Sequence, residues 1–210
     1  ISRIDKNGHV IWYRRDYSSH WPKITSDGEI LDIGKEIMAP VVNVRIARQH
    51  VITFSCDSIL SGVPGDTIQV LDLDGHVKDT IPLFKALAAS PYRSYLAVSV
   101  TTATAERDPC DPLHTNSVNL VGDELAAKLG VQPDDLLVSL RNLSALVIVG
   151  RHDHQIKRLF KGTFLLQHSA QVMPGGKIAI FDNMGASAEG GPSRFLIYAP
   201  APGGERTLFP

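Results

Sequence analysis

Three histidines stand at comparable places in this sequence. His20, His114 and His168 each begin a strand-like run that turns and returns: His20 to Ile33, His114 to Arg141 with an insertion, and His168 to Asp182. A neutral imidazole is a competent nucleophile and proton carrier near neutral pH. A single histidine at a strand end is ordinarily a structural group, so a shared site requires that the three converge although they lie 94 and 54 residues apart. Their neighbours extend the chemistry. Asn116 lies two residues beyond His114, on the same face of a strand. Arg141 ends the run from Leu136, where its rigid fork could hold an oxyanion such as sulfate, phosphate or carboxylate. A surface salt bridge is the plain alternative for such an arginine.

The elements that must position these groups are short strands. Runs of about five to seven β-prone residues recur between turn signals, and helical stripes are scarce. Lys6-Asn7-Gly8, Ser26-Asp27-Gly28, Asp74-Gly75, Pro174-Gly175-Gly176 and Pro202-Gly203-Gly204 each separate two such runs, as hairpins require. The hairpins come in two kinds. One begins with a histidine, as above. The other reads apolar run, Asp, turn Gly, outer strand: Ile4 to Trp12, Val70 to Ile81, and a third copy around Arg151-His152-Asp153-His154.

One hairpin of each kind makes a four-stranded blade, which predicts an all-β fold, a β-propeller of antiparallel blades. The three blades fall at about 20–81, 114–160 and 166–209, with residues 1–13 supplying the last strand of another, all within one domain spanning 1–210. A short helix is expected over Pro82 to Ala89. A sandwich of two sheets fits the same alternation. In a propeller the innermost strand of each blade lines the central channel, so residues heading those strands share one funnel.

Composition narrows the partners. The 210 residues are 43% hydrophobic, with 21 Lys and Arg against 22 Asp and Glu and no run of like charge. That balance argues against nucleic acid or an anionic membrane surface and favours a small or neutral ligand. Cys56 and Cys110 match no metal-ligand spacing. A disulfide between them, or a buried Cys56 with a separate loop Cys110, are both open.

The stretches Leu113-His114-Thr115-Asn116-Ser117, Asp135 to Asn142, Gln167-His168-Ser169-Ala170-Gln171 and Pro174 to Asn183 resemble, in order and spacing, the bacterial arylsulfotransferase family. The close match covers about 112–185. Asp5 to Trp12 is similar to the family's blade repeat, while 39–89 shows little beyond the repeat. Ser169 stands where an acidic residue is common, and Met184 replaces the usual glycine. The resemblance implies a six-bladed propeller, of which three and a quarter blades would be a part. It also implies sulfuryl transfer from a phenolic sulfate ester to a phenol, without a nucleotide donor or cofactor, through a sulfated histidine. His168 matches the nucleophile; His114, Asn116 and Arg141 match the sulfate-binding groups; His20 matches a further active-site histidine. A periplasmic or otherwise extracytoplasmic location is implied too, with which a disulfide is compatible.

Two other functions suit the same residues. Three histidines can hold a catalytic Zn²⁺, but an adjacent arginine and the absence of a carboxylate at ligand spacing argue against it, so no metal is expected. His152 and His154, in a turn between outer strands, are expected to be solvated. A propeller without turnover could instead serve as a binding or accessory subunit of a larger complex, with protein partners or a second copy.

Overall fold

The computed structural model describes residues 1–56, 61–106, 110–184, 191–200 and 205–209. Their architecture is mostly antiparallel strand. Three four-stranded sheets form the blades, each laid out in chain order from its first strand outward apart from one inserted hairpin. The first blade comprises β3 (Ser19–Ile24), β4 (Ile30–Ile37), β7 (Pro64–Leu71) and β8 (Val77–Pro82). Between β4 and β7 the chain leaves as a separate hairpin, β5 (Val41–Ala47) with β6 (His50–Ser55). The second blade is β9 (Thr115–Leu120), β10 (Leu136–Leu140), β11 (Ala145–Val149) and β12 (Ile156–Phe160). The third is β13 (His168–Met173), β14 (Lys177–Asp182), β15 (Arg194–Tyr198) and β16 (Glu205–Phe209). This is the propeller-blade architecture expected from the two kinds of hairpin; the three sheets stand as separate blades, not as a two-sheet sandwich.

The middle blade shows why the blades associate. Its central strands, Leu-Leu-Val-Ser-Leu and Ala-Leu-Val-Ile-Val, are buried at every residue. Because side chains alternate across a sheet, the two runs divide between two cores. Leu136, Val138, Leu140, Ala145, Val147 and Val149 join the first blade's Leu31, Ile33, Ile68 and Val70. Leu137, Leu146 and Ile148 face the other way, onto Ala170, Ile178, Ile180 and Leu196 of the third blade. A continuous apolar run is therefore the mark of a strand covered on both faces. At roughly 1.5–3 kcal/mol for each large side chain removed from water, these two cores fix the blade-to-blade angle.

Two features differ from the expectation. Residues 1–13 form the hairpin that the Lys6-Asn7-Gly8 turn requires, β1 (Ser2–Ile4) with β2 (Val10–Tyr13), but as a separate two-stranded sheet, where the last strand of a further blade was expected. Besides α1 (Leu83–Ala89), which was foreseen, there are α2 (Leu96–Glu106) and α3 (Gly122–Leu129). Helix α3 is the insertion between β9 and β10. It carries Asp123 and Glu124 in its first turn, Lys128 in its last, and Gly130 as a left-handed cap, and buries Leu125, Ala126 and Leu129. At eight residues it is too short for a stripe to stand out by periodicity, and packing completes it. Cys56 and Cys110 are joined in a disulfide, which resolves the alternatives left open by their spacing.

The repeated turns are structurally equivalent. Asp5 Oδ1 accepts the backbone N–H groups of Asn7 and His9, and Asp72 Oδ1 those of Asp74 and His76. Gly8 and Gly75 close the two turns at φ 88° and 84°. At Gly75 the reason for glycine is double, since an added Cβ would also sit 2.9 Å from the Trp12 ring. Trp12 in turn donates its indole N–H to Leu73 O, so this turn seats the β1–β2 hairpin on the first blade. Gly75→Ala is expected to lower stability by about 1–2 kcal/mol through left-handed strain alone, read as a lower urea midpoint at unchanged slope.

Candidate active site

The strands β3, β9 and β13 are the edge strands that meet where the blades converge, and their contacts are polar. Asn116 Nδ2 donates to Gln167 O at 2.9 Å, and Asn119 Nδ2 donates to Ala170 O at 2.7 Å. Gln167, fully buried, donates from Nε2 to Ser139 Oγ, Leu140 O and Ala145 O. Edge strands have unpaired backbone groups; here amide side chains satisfy them and fix the register between the second and third blades.

At the head of these strands the three histidines meet. Ring centroids are 5.5 Å apart for His20 and His114, 5.6 Å for His114 and His168, and 5.8 Å for His20 and His168. His20 and His114 adopt positive φ, 61° and 50°, and Ser169 beside His168 does so at 55°. Such conformations are uncommon outside glycine and persist only where the surroundings impose them. Residues separated by half the chain thus take related backbone geometry at one point.

Each imidazole is held differently. Asp111 Oδ2 lies 2.5 Å from His114 Nδ1. Asp111 also takes a hydrogen bond from Lys35 Nζ at 3.0 Å, and Lys35 Nζ lies 3.5 Å from Asp66, whose Oδ2 accepts the Thr115 N–H at 2.7 Å. Burial acts to raise the Asp111 pKa, but the His114 hydrogen bond and the Lys35 ammonium outweigh it and hold the carboxyl well below its ordinary range. Burial likewise works against the Lys35 charge, and the carboxylates of Asp66 and Asp111 overcome it and raise its pKa. His168 Nδ1 is 3.2 Å from Leu166 O and 2.7 Å from Asn183 Nδ2. Nδ1 takes one role or the other: donating to Leu166 O leaves Nε2 with its lone pair, whereas accepting from Asn183 Nδ2 puts the proton on Nε2.

Burial lowers the pKa of His168; the Leu166 hydrogen bond opposes this, while the charges of His114, His20 and Arg141 reinforce it. Burial and then the charge on His114 lower that of His20. Two of the three rings are therefore held towards the neutral form.

The other two expected residues are placed as follows. Arg141 follows β10 and is tied to the cluster through its backbone, its N–H donating to His114 O at 3.2 Å. Its Nη1 donates to Asn142 Oδ1 at 2.9 Å, and its charge acts on His168. Asn116 is buried, and its Oδ1 accepts the Ser169 N–H at 3.2 Å while its amide donates across to Gln167 O. Its hydrogen-bonding groups thus flank and fix His168. His152 and His154 lie away from this cluster, paired with Asp134 and Asp79.

Several groups at the site carried little signal in sequence. Asp111, three residues before His114, was within reach of inspection as a possible imidazole partner. Asn183 lay inside the Phe-Asp-Asn motif but without a role. Lys35 and Asp66 sit on β4 and β7, and only the tertiary fold brings them to Asp111.

Blades of four antiparallel strands, with a histidine cluster where their first strands converge, define a protein of propeller-blade architecture. Residues 1–201 match the family described as Arylsulfotransferase (ASST), and the chain belongs to that family. No curated protein matches it at a significant level. Membership supports an arylsulfotransferase-like, sulfotransferase function in general terms.

The lowered histidine values give a testable consequence for stability. Unfolded imidazoles take protons near the ordinary value of about 6.5, before the folded ones do, so stability rises with pH where the unfolded state binds more protons. The contribution of His20 and His168 is complete above that value and is lost as pH falls below it. Urea unfolding should therefore show stability decreasing from pH 7.5 to 5.5, with a smaller decrease in His168→Gln.

Proposed function

We propose that this protein transfers a sulfuryl group from a phenolic sulfate ester to a phenol through a sulfated His168. The observation that carries the reading is the His168 environment: a half-buried imidazole with Nδ1 engaged, its basicity reduced, beside two further histidines and the charge of Arg141. Family membership supplies the reaction class.

In the first displacement the Nε2 lone pair of His168 attacks sulfur, an N–S bond forms and the S–O bond to the aryl group breaks. The departing phenolate takes a proton. In the second, the acceptor phenol loses its proton, its oxygen attacks the same sulfur, and the N–S bond breaks to return His168. His114 is the better placed proton carrier, because Asp111 holds its Nδ1 and leaves Nε2 for the exchange. His20 is the second such group. Negative charge spreads over sulfuryl and phenolic oxygens as each bond breaks; Arg141 is held beside His114 to meet it, and charge fixed in place beforehand needs no reorganisation. Asn116 acts as a positioning residue for His168. The donor and acceptor are small phenolic compounds, and the step needs neither cofactor nor metal. We further assign the protein to an extracytoplasmic compartment; the Cys56–Cys110 disulfide supports this, since such bonds persist where conditions are oxidising.

Incubation with phenyl sulfate, followed by mass spectrometry, should show a sulfuryl adduct on His168 that phenol discharges, absent in His168→Ala. Protonation removes the lone pair, so activity should fall on acidification, with the midpoint below the ordinary histidine value of about 6.5 because burial lowers the pKa. A folded protein giving neither adduct nor transfer would favour a propeller that binds without turnover.

A further inference from the structure

The sulfuryl chemistry above concerns one end of the substrate; the structure also offers a surface for the other. Trp21 directly follows His20 on β3, and its side chain is exposed, at 88% of its full surface. Tryptophan carries a large apolar area and commonly buries much of it, so this exposure calls for an account. The other tryptophan makes the contrast: Trp12 is half-buried and its indole N–H is satisfied by Leu73 O. Among the described residues the Trp21 indole has no such hydrogen bond.

Position adds to exposure. Trp21, Thr115 and Ser169 each follow the histidine of their blade. Thr115 is buried at 2% exposure and Ser169 is small, so the first blade alone places an aromatic surface there. Trp21 borders a cleft of about 120 Å³ that runs along the innermost strands, lined also by Lys23, Asn116, Ser117, Ser169 and Gln171. Two of those residues lie next to His168 along the chain or across the strands: Ser169 follows it, and Asn116 accepts the Ser169 N–H and donates to Gln167 O. The indole therefore stands at a cleft that adjoins the nucleophile, with a lysine on its rim and polar side chains on its walls. In a phenyl sulfate, ring and sulfur are joined through a single oxygen, so a ring-binding surface must lie immediately beside the group that attacks sulfur.

We propose that the Trp21 indole is the platform on which the aryl ring of donor and acceptor stacks, making it a specificity residue for aryl over alkyl sulfates. The proposal rests on the sulfuryl-transfer reading for its substrate class, yet its binding test does not require turnover. Offset stacking of two aromatic rings contributes beyond simple area burial, and both rings here are small and flat.

The test uses the full chain carrying Trp12→Phe, so that Trp21 is the sole indole. Phenyl sulfate should quench or blue-shift its emission saturably, while ethyl sulfate at equal concentration should not. In kinetics, Trp21→Ala should raise KM for phenyl sulfate about 2- to 13-fold, the range that aromatic stacking gives, with kcat within about 2-fold, and Trp21→Phe should restore most of the loss. Should Trp12→Phe fail to fold, the kinetic series stands by itself, since Trp21 is exposed and its replacement leaves the cores intact. The proposal is overturned if phenyl sulfate leaves Trp21 emission unchanged up to saturating concentration, or if KM in Trp21→Ala matches the parent. If neither adduct nor transfer occurs but Trp21 still responds selectively to phenyl sulfate, the sulfuryl-transfer reading fails and the aryl platform survives.

Discussion

The arrangement at the convergence of the blades depends on one charge cluster. Lys35 on β4 bridges Asp66 on β7 and Asp111 ahead of β9, and through them reaches the Thr115 N–H and the His114 ring. Asp66 is almost wholly buried, at 1% exposure. Taking charges out of water is costly, and the attraction between them offsets that cost only when geometry and hydrogen bonds are good. Asp111 meets that condition, with the Lys35 ammonium and the His114 imidazole both on its carboxylate; Asp66 meets it in part, since its Oδ2 accepts the Thr115 N–H while burial still raises its pKa. The consequence is geometric: the first blade dictates where β9 starts, and hence where His114 stands. The disulfide adds a second tie at the same place, since Cys110 immediately precedes Asp111 and anchors it to Cys56 beyond β6.

A parallel constraint acts between the second and third blades, by hydrogen bonds instead of charge. Gln167 reaches from the head of β13 into the second blade, and Asn116 answers from β9 with bonds to both sides of His168. Both side chains are buried, and the bonds made by their N–H groups spare those donors the cost of being buried unpaired. His168 is thereby framed by residues that must stay in place for the fold to hold. The left-handed backbone at His20, His114 and Ser169 is the local cost of bringing three strand heads together.

The proposed nucleophilic role of His168 draws on the electrostatics of the cluster. Asp111 is kept ionised against the His114 ring, while burial and neighbouring charge keep His20 and His168 towards neutrality. The charge of Arg141 is among those that lower the proton affinity of His168.

Much of this was legible in the order of residues. The Asp-turn-Gly repeats at Asp5 and Asp72 read as hairpins because glycine at positive φ and an aspartate capping the turn are local requirements, satisfied within a few residues. The apolar runs of β10 and β11 read as strands, and the histidine heading each innermost strand pointed to a shared site because blade symmetry converts sequence position into spatial position. Other features had no local cause. The hairpin of β5 and β6 and helix α3 each draw stability from packing against distant elements. Sequence alone therefore determined the type of fold and which histidines were candidates to meet. The tertiary structure decided what holds them: Lys35 lies 76 residues from Asp111, and Asn116 lies 53 from Ser169. Charge pairing and amide bonding act through space over a few ångströms, so their partners are chosen by the packing of blades and not by separation along the chain.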